Sequence, residues 1–552
     1  MSSGARRLRR RVAIDLRTLT VGTILLAVVA PLVSLVAAAW PGSPELWTHL
    51  VRYVLPAATV DTVVLLSGVG LVTVFLGTSL AWLVTAYDFP GRRLLDGCLL
   101  LPLAVPTYIV AYTYLDILHP VGPVQETLRW LLGYDGPRDF RLPDIRSMPG
   151  CIVVLGFVLY PYVYLPTRAL FALQSASLLE TGRTLGLTST QTFVRIALPL
   201  ARPAIAVGLS LALMEALNDI GASEFMGIRT LTVSIYATWV TRSDLAGAAQ
   251  ISLGMLTVVL ALVLMERWAR RHQRYANDAQ HPRPIIPSRL SAPAGAAALL
   301  VGLTPIAIGF GLPSAYLVDA AVARFDTTGV PSSMFAALQA TVLFATAATL
   351  AAVIAGLVIA YSVRRLSGRT AAAVLTFTSI GYATPGTVVA IAVLPIVTGM
   401  DRLLDSTAAV LFGGATGLLL LGSGIGVLYA YFVRFLAVTV GGTESALAKL
   451  SRSLDDAAAT LGAPPLERLW YVHLPLIRRA MAASAVLMFV DCMKELPATL
   501  LLRPIGVETL ATMLYGEAAR GTYENGAMAA LLIVSVGLAP VWILSRLTDY
   551  RP

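Results

Sequence analysis

Apolar residues in this chain run in long unbroken stretches, not in the 3.6- or 2-residue alternation of a half-exposed helix or strand. Stretches near 19–39, 62–86, 95–118, 150–171, 201–219 and 245–265 are followed by a second set near 294–312, 336–362, 371–398, 408–433, 479–496 and 525–545. Most come close to the roughly 20 residues that a helix needs to cross a bilayer core. The pattern predicts an all-α polytopic membrane protein with about twelve transmembrane helices.

The polar positions orient it. "ARRLRRR" (Ala5–Arg11) precedes the first stretch and places the N-terminus in the cytoplasm. Alternating from there puts about 29 of the 41 Lys and Arg on the cytoplasmic side and about 11 outside, so both termini are expected inside. "VAAAW" (Val36–Trp40) offers the small residues of a signal-peptide cleavage site. The apolar run before it is longer than an ordinary signal core, and a retained helix is expected.

The chain repeats itself. Thr62–Tyr87 parallels Thr341–Val363, with Gly77 opposite Gly356, and Pro102–Leu115 parallels Gly381–Leu394, with Pro106 opposite Pro385. Six crossings per half give two tandem parallel six-helix domains related by a pseudo-two-fold along the membrane normal. The expected division is 1–265 and 294–552, with a charged, proline-bearing cytoplasmic linker at 266–293.

Composition agrees: 57% of residues are hydrophobic and 13% charged, against about 25% charged in a soluble domain. The net charge of +10 sits in short clusters between apolar runs, which argues for membrane-surface loops and against nucleic acid as a partner. Three scattered cysteines give neither a disulfide framework nor metal spacing. Five dispersed histidines offer no haem ligand inside a span, so no metal site is expected.

Two polar segments interrupt the oil, at 175–203 and 451–479, both on the arginine-rich side. In the second, Ser453 is positioned to cap a helix whose first turn holds Asp455 and Asp456. Gly462 ends that helix, Pro464 and Pro465 start another, and Pro475 separates it from the next span. In the first, Ser177, Glu180, Gly186, Ser189 or Thr190, and Pro199 take the same parts. A lone segment of this kind reads as a connector lying on headgroups. Two with equal glycine and proline spacing point to a two-fold cytoplasmic partner.

These residues resemble the EAA loop of ABC-importer permeases. The second copy reads Asp456-Ala457-Ala458…Gly462…Val472-His473-Leu474-Pro475, and the first Glu180-Thr181-Gly182…Gly186…Ile196-Ala197-Leu198-Pro199. Asp replaces Glu in one copy and Thr-Gly replaces Ala-Ala in the other. The resemblance implies that each loop is a coupling helix docking on a cytoplasmic ATPase, through Glu180, Gly186, Ile196, Leu198 and Pro199, and through Asp456, Ala457, Ala458, Gly462, Val472, Leu474 and Pro475. "DCMKELPATLLLRP" (Asp491–Pro504), with Pro102–Gln125 and Gly381–Leu394, is similar to the fused two-domain ferric-iron permeases. Thiamine, aminoethylphosphonate and polyamine permeases are related alternatives.

Neither lysine, Lys449 nor Lys494, follows a glycine as a phosphate-binding P-loop requires. ATP, with magnesium, is therefore expected on two copies of a separate ATPase, and this chain is expected to bind no cofactor and to be no enzyme by itself. Glu215, Asn218 and Asp219 at the end of the fifth span occupy positions equivalent to Asp491, Lys494 and Glu495 in the repeat. They either form a polar gate on the translocation path or are helix-end charges that stabilise packing. Tyr108, Tyr112, Tyr114 and Asp116 are candidates to line a ferric pathway, but tyrosines stand routinely at membrane interfaces, and an interfacial aromatic belt is expected.

The resemblance further implies a bacterial inner-membrane importer. A loaded periplasmic binding protein docks on outer loops that include Pro120–Pro149 and Gly221–Ser243, and ATP drives alternating access. An ion-coupled secondary transporter is the contrasting class, and it gives no reason for the duplicated loop.

Overall fold

The computed structural model describes residues 3–40, 42, 44–173, 184, 186–270, 287–366, 368–414 and 417–548. Ten of its helices are long and apolar enough to span a membrane: Thr18–Ala39, Trp47–Ala86, Met148–Ala172, Ser189–Asn218, Leu245–Arg267, Ala292–Thr328, Ser332–Val363, Gly386–Phe412, Ile425–Ala448 and Tyr523–Ile543. A further apolar pair, Arg92–Ala104 and Thr107–Ile117, is bent by 89° at its break, as in a broken span or a re-entrant loop. The 20-residue helix Leu474–Met493 stands where the eleventh predicted stretch lies, with Arg478 and Arg479 in its first turns.

Several boundaries differ from expectation: Trp47–Ala86, Ser189–Asn218 and Ala292–Thr328 outrun their stretches, and two others change course. The stretch at 371–398 is two helices, Gly368–Ala383 and Gly386–Phe412, interrupted before Pro385. The next crossing is Ile425–Ala448 and not 408–433. Gly413, Gly417 and Gly424 all take left-handed backbone there, which no continuing helix tolerates. Hydropathy passes over those glycines because it scores side chains and not backbone.

The breaks repeat. Pro106 (φ −56°, ψ 142°) and Pro385 (φ −57°, ψ 145°) each stand extended immediately before a helix, where a residue without an N–H costs nothing. So do the close crossings. A Cβ on Gly77 would come within 2.7 Å of Val163 Cβ, and one on Gly356 within 2.8 Å of Thr439 Oγ1. Thr62 donates to the Ala58 carbonyl and accepts from Leu231 N–H at 3.0 Å; Thr341 donates to Ala337 and accepts from Leu510 N–H at 2.9 Å. One hydroxyl thus ties a distant helix start to a span in each half.

Two compact units form, and each takes chain from both halves. One holds Met1–Ser43, Thr238–Leu253 and Ser332–Thr512; the other holds Pro44–Ala237, Gly254–Pro331 and Met513–Pro552. In the first unit the N-terminal helix packs along Gly386–Phe412, where Tyr429 donates to the Ala27 carbonyl at 2.6 Å. In the second, Leu312–Thr328 packs against Tyr523–Thr548 and Thr107–Ile117. Tyr114 there donates to the Ile308 carbonyl at 2.7 Å, and Tyr316 bonds Asp116. Tyr108, Tyr112 and Tyr114 are buried in this packing, so they do not form the expected interfacial belt.

Candidate functional site

The described parts of the two polar segments share a left-handed glycine followed by a capped short helix and a π turn. In the second, Ser451, two residues before the expected cap, accepts from Ser453 N–H and starts the helix Arg452–Thr460. That helix closes on Gly462 at φ +82°, with Gly462 N–H on the Ala459 carbonyl and Ala463 N–H on Ala458. The two bonds make a Schellman closure, which requires the left-handed residue that glycine supplies without strain. Pro464 then caps Pro465–Arg468. In the first segment Gly186 also stands at φ +82°. Thr188, and not Ser189 or Thr190, is the cap, in a reciprocal box with Gln191. Glu180 and Ser177 lie outside the described residues.

Pro199 and Pro475 do not interrupt the chain's helical course. A π turn, Phe193–Ala197 or Leu469–His473, leads without a break into Leu198–Asn218 or Leu474–Met493. The N–H of Leu198 reaches back five residues to Phe193, and that of Leu474 to Leu469. A proline ring presses on the carbonyl four residues earlier, and a widened turn relieves that pressure. Among the described residues each π turn is followed directly by Leu-Pro: Leu55-Pro56, Leu198-Pro199, Leu312-Pro313 and Leu474-Pro475. The Leu-Pro ending therefore welds each loop to its span.

The second projection is anchored by an ionic network that the sequence did not reveal. Arg364 donates to Asp455 Oδ2 through Nε (3.0 Å) and Nη2 (2.7 Å), and to the Leu450 carbonyl (3.0 Å). His473 Nε2 lies 2.9 Å from Asp455 Oδ1. Tyr361 packs on the His473 ring and donates to the Pro465 carbonyl at 2.6 Å. Leu474 packs against a small core of Ala360, Leu447, Ile477 and Met481. Asp456 and Ala457 are exposed, and Ala458 and Val472 are half-buried. The acid that holds the loop is thus Asp455, one residue before the motif position. The first projection is anchored by rings instead: Trp82 meets Phe171 and Phe193 at 5.3 and 5.1 Å, and Ile196 joins that core.

Burial opposes ionisation of Asp455, but the hydrogen bond and charge of Arg364, with His473, outweigh it and hold the carboxyl below its ordinary value. Burial also presses the His473 imidazole down, against the pull of Asp455. Both groups then bind protons at lower pH in the folded loop than in the unfolded chain. Their stabilisation is present above the ordinary values and is lost as pH falls, first below the imidazole range and then below the carboxylate range. Amide exchange across 452–473, corrected for intrinsic rates, is expected to be slow near about pH 8 and faster below about pH 6. Asp455→Asn should leave the loop fast-exchanging at both.

Among the gate candidates, Asp219 and Glu495 are buried and cap short helices. Asp219 accepts from Ala222 N–H at 2.6 Å and from the Thr107 hydroxyl. Glu495 accepts from Ala498 and Thr499 N–H at 3.0 and 3.1 Å, and pairs with Arg434 at 2.6 Å. Asp491 and Lys494 form a half-exposed pair at 2.9 Å, and Glu215 and Asn218 are half-buried. Sequence reasoning missed Arg434, which lies 61 residues from its partner on another helix.

The described residues form a tandem helical membrane protein with a left-handed glycine and a π turn in the polar segment of each half. Residues 73–275 and 352–550 match the family described as binding-protein-dependent transport system inner membrane component, and the chain belongs to that family. It is a multi-pass membrane permease of the ABC-importer type.

The chain is similar to the Fe(3+)-transport system permease protein FbpB 2 of Haemophilus influenzae, 23% identical over 491 residues, 88% of this chain and 89% of that protein. It is also similar to the molybdenum transport system permease protein ModB of Escherichia coli, 29% identical over 204 residues, 36% of this chain and 86% of that protein. A third relative is the sulfate transport system permease protein CysT of Escherichia coli, 30% identical over 150 residues, 27% of this chain and 51% of that protein.

Proposed function

We propose that this chain supplies both transmembrane halves of an ATP-driven importer of ferric iron, moving it from periplasm to cytoplasm in a bacterial inner membrane. The observation that carries the reading is the duplicated projection, with Gly186 and Gly462 at the same left-handed angle and the same π turn and Leu-Pro after each. Two like knobs suit two copies of one cytoplasmic ATPase, which supplies the ATP chemistry with magnesium. On the second, Leu461, Leu466, Trp470 and Tyr471 are exposed, a surface fitted to an apolar groove on that partner. Nucleotide acts through contacts at these knobs that differ between inward-open and outward-open states. A periplasmic binding protein delivers the substrate. Iron is favoured because the relative that matches nearly end to end is a ferric permease, whereas the molybdenum and sulfate relatives match about one third of the chain or less.

Proteoliposomes holding the chain with its ATPase test this, with loaded binding protein outside and ATP within. Ferric uptake is expected only when all three proteins and ATP are present. Uptake by the chain alone under an ion gradient would reject the ATP-driven class. Complete-system uptake of molybdate or sulfate, with none of iron, would reassign the substrate.

A further inference from the structure

Each half carries a second duplicated feature, unrelated to the projections. In one compact unit the helix Pro123–Leu132 ends in Trp130, Leu131 and Leu132, which are 80%, 71% and 54% exposed. In the other unit the helix Gly386–Phe412 ends in Val410, Leu411 and Phe412, which are 85%, 67% and 84% exposed. The next residue in each case, Gly133 or Gly413, is left-handed and returns its N–H to the carbonyl four residues back. Both tips follow the helix break of their half at nearly the same distance, Leu132 coming 26 residues after Pro106 and Phe412 coming 27 after Pro385.

Polarity is inverted along the first helix, whose buried residues are Gln125 and Arg129, and over the last turns of the second, where Asp401 is the buried residue. Inward-facing positions are polar: Gln125, buried, bridges the Leu118 carbonyl and Leu142 N–H at 2.7 and 3.1 Å. Its counterpart Asp405 accepts from Gly417 N–H at 3.0 Å. The returning chain is thus stapled in place, and the apolar triplet is left outside by construction. An ordinary surface helix does the reverse.

Three consecutive helical residues point about 100° apart and together sweep more than half the helix circumference. A docking partner lying on one face covers a single stripe. Surroundings that are apolar on every side cover all three directions, and the second tip is the end of a helix that itself qualifies as a membrane span. We propose that Trp130–Leu132 and Val410–Phe412 are paired lipid anchors, each immersed at the boundary between headgroups and acyl chains. Tryptophan and phenylalanine suit that depth.

The probe is the full chain in nanodiscs of phosphatidylcholine brominated on its acyl chains. The emission difference between wild type and Trp130→Phe isolates Trp130. It should lose about half its intensity or more to the bromolipid and be insensitive to aqueous iodide. Phe412→Trp in the Trp130→Phe background should gain a signal with the same behaviour. Iodide quenching without bromolipid quenching would overturn the proposal, because the tips would then stand in water. Shielding from iodide that appears only when a binding protein is added would also overturn it, in favour of a protein-docking surface.

Discussion

Glu495→Ala should destabilise the permease by about 3–5 kcal/mol, the range for stranding one member of a buried ion pair. The Glu495 and Arg434 side chains are 1% and 10% exposed, and their closest atoms are 2.6 Å apart. The carboxylate also takes two backbone N–H groups and the Thr499 hydroxyl at 2.8 Å. Alanine therefore removes the cap of Pro497–Leu502 and leaves a guanidinium buried without its partner. Arg434→Ala should cost less, because three neutral donors still serve the carboxylate. Arg434→Met with Glu495→Gln should recover much of the loss, since no charge is then stranded.

The first half predicts the contrast. Gly77 packs on Val163 and Gly356 on Thr439. Val158 therefore holds the register of Arg434, and Asp219 caps its helix without an arginine. Thr107, at the register of Gly386, bonds Asp219 directly. Gly386 has no room for such a side chain: a Cβ there would lie 2.5 Å from Arg434 Nη1 and 2.6 Å from Glu495 Oε1. Thr107→Val should thus cost only about 1–3 kcal/mol, the penalty for one lost partner. The fraction still monodisperse after heating in detergent ranks the variants. Equal losses from Glu495→Ala and Thr107→Val would refute the asymmetry.

The contrast shows what sequence can and cannot carry. The repeat, the prolines at 106 and 385 and the glycines at 186 and 462 were legible because backbone demands fix residue type at fixed spacing. Arg434 and Arg364 were not, because each finds its acid 61 or 91 residues away on another element, and no local pattern records that meeting. Asp455 read only as a charge suited to a helix start, and His473 as one of five dispersed histidines. The gate candidates looked alike in sequence. Burial separates them, making Asp219 and Glu495 caps while Asp491 and Lys494 pair at a half-exposed surface. The Leu-Pro endings were legible as prolines but not as π turns, since the sequence does not say whether a helix stops at a proline or widens to pass it.

Gly186→Val with Gly462→Val should sharply reduce coupled transport while leaving the bundle folded. Among the described residues nothing lies within 4 Å of a Cβ built at either glycine, so the substitution meets no clash there. Its cost is backbone alone, about 1–2 kcal/mol for each left-handed residue that gains a side chain. The helix Arg452–Thr460 buries no residue and is directed by its caps, the Arg364 network and a hydrogen bond from Arg468 to the Asp455 carbonyl. Losing the left-handed closure therefore re-aims it instead of unfolding it. ATP-driven uptake should fall about ten-fold or more, since misplacement by an ångström of a positioned group carries losses of that order. Membrane level should stay at wild type, and ATP hydrolysis by the assembled complex should lose its stimulation by loaded binding protein. Gly462→Asn should keep most activity, because asparagine tolerates the left-handed region. Wild-type uptake in the double valine variant would remove the projections from the mechanism and leave the two capped knobs as mere connectors.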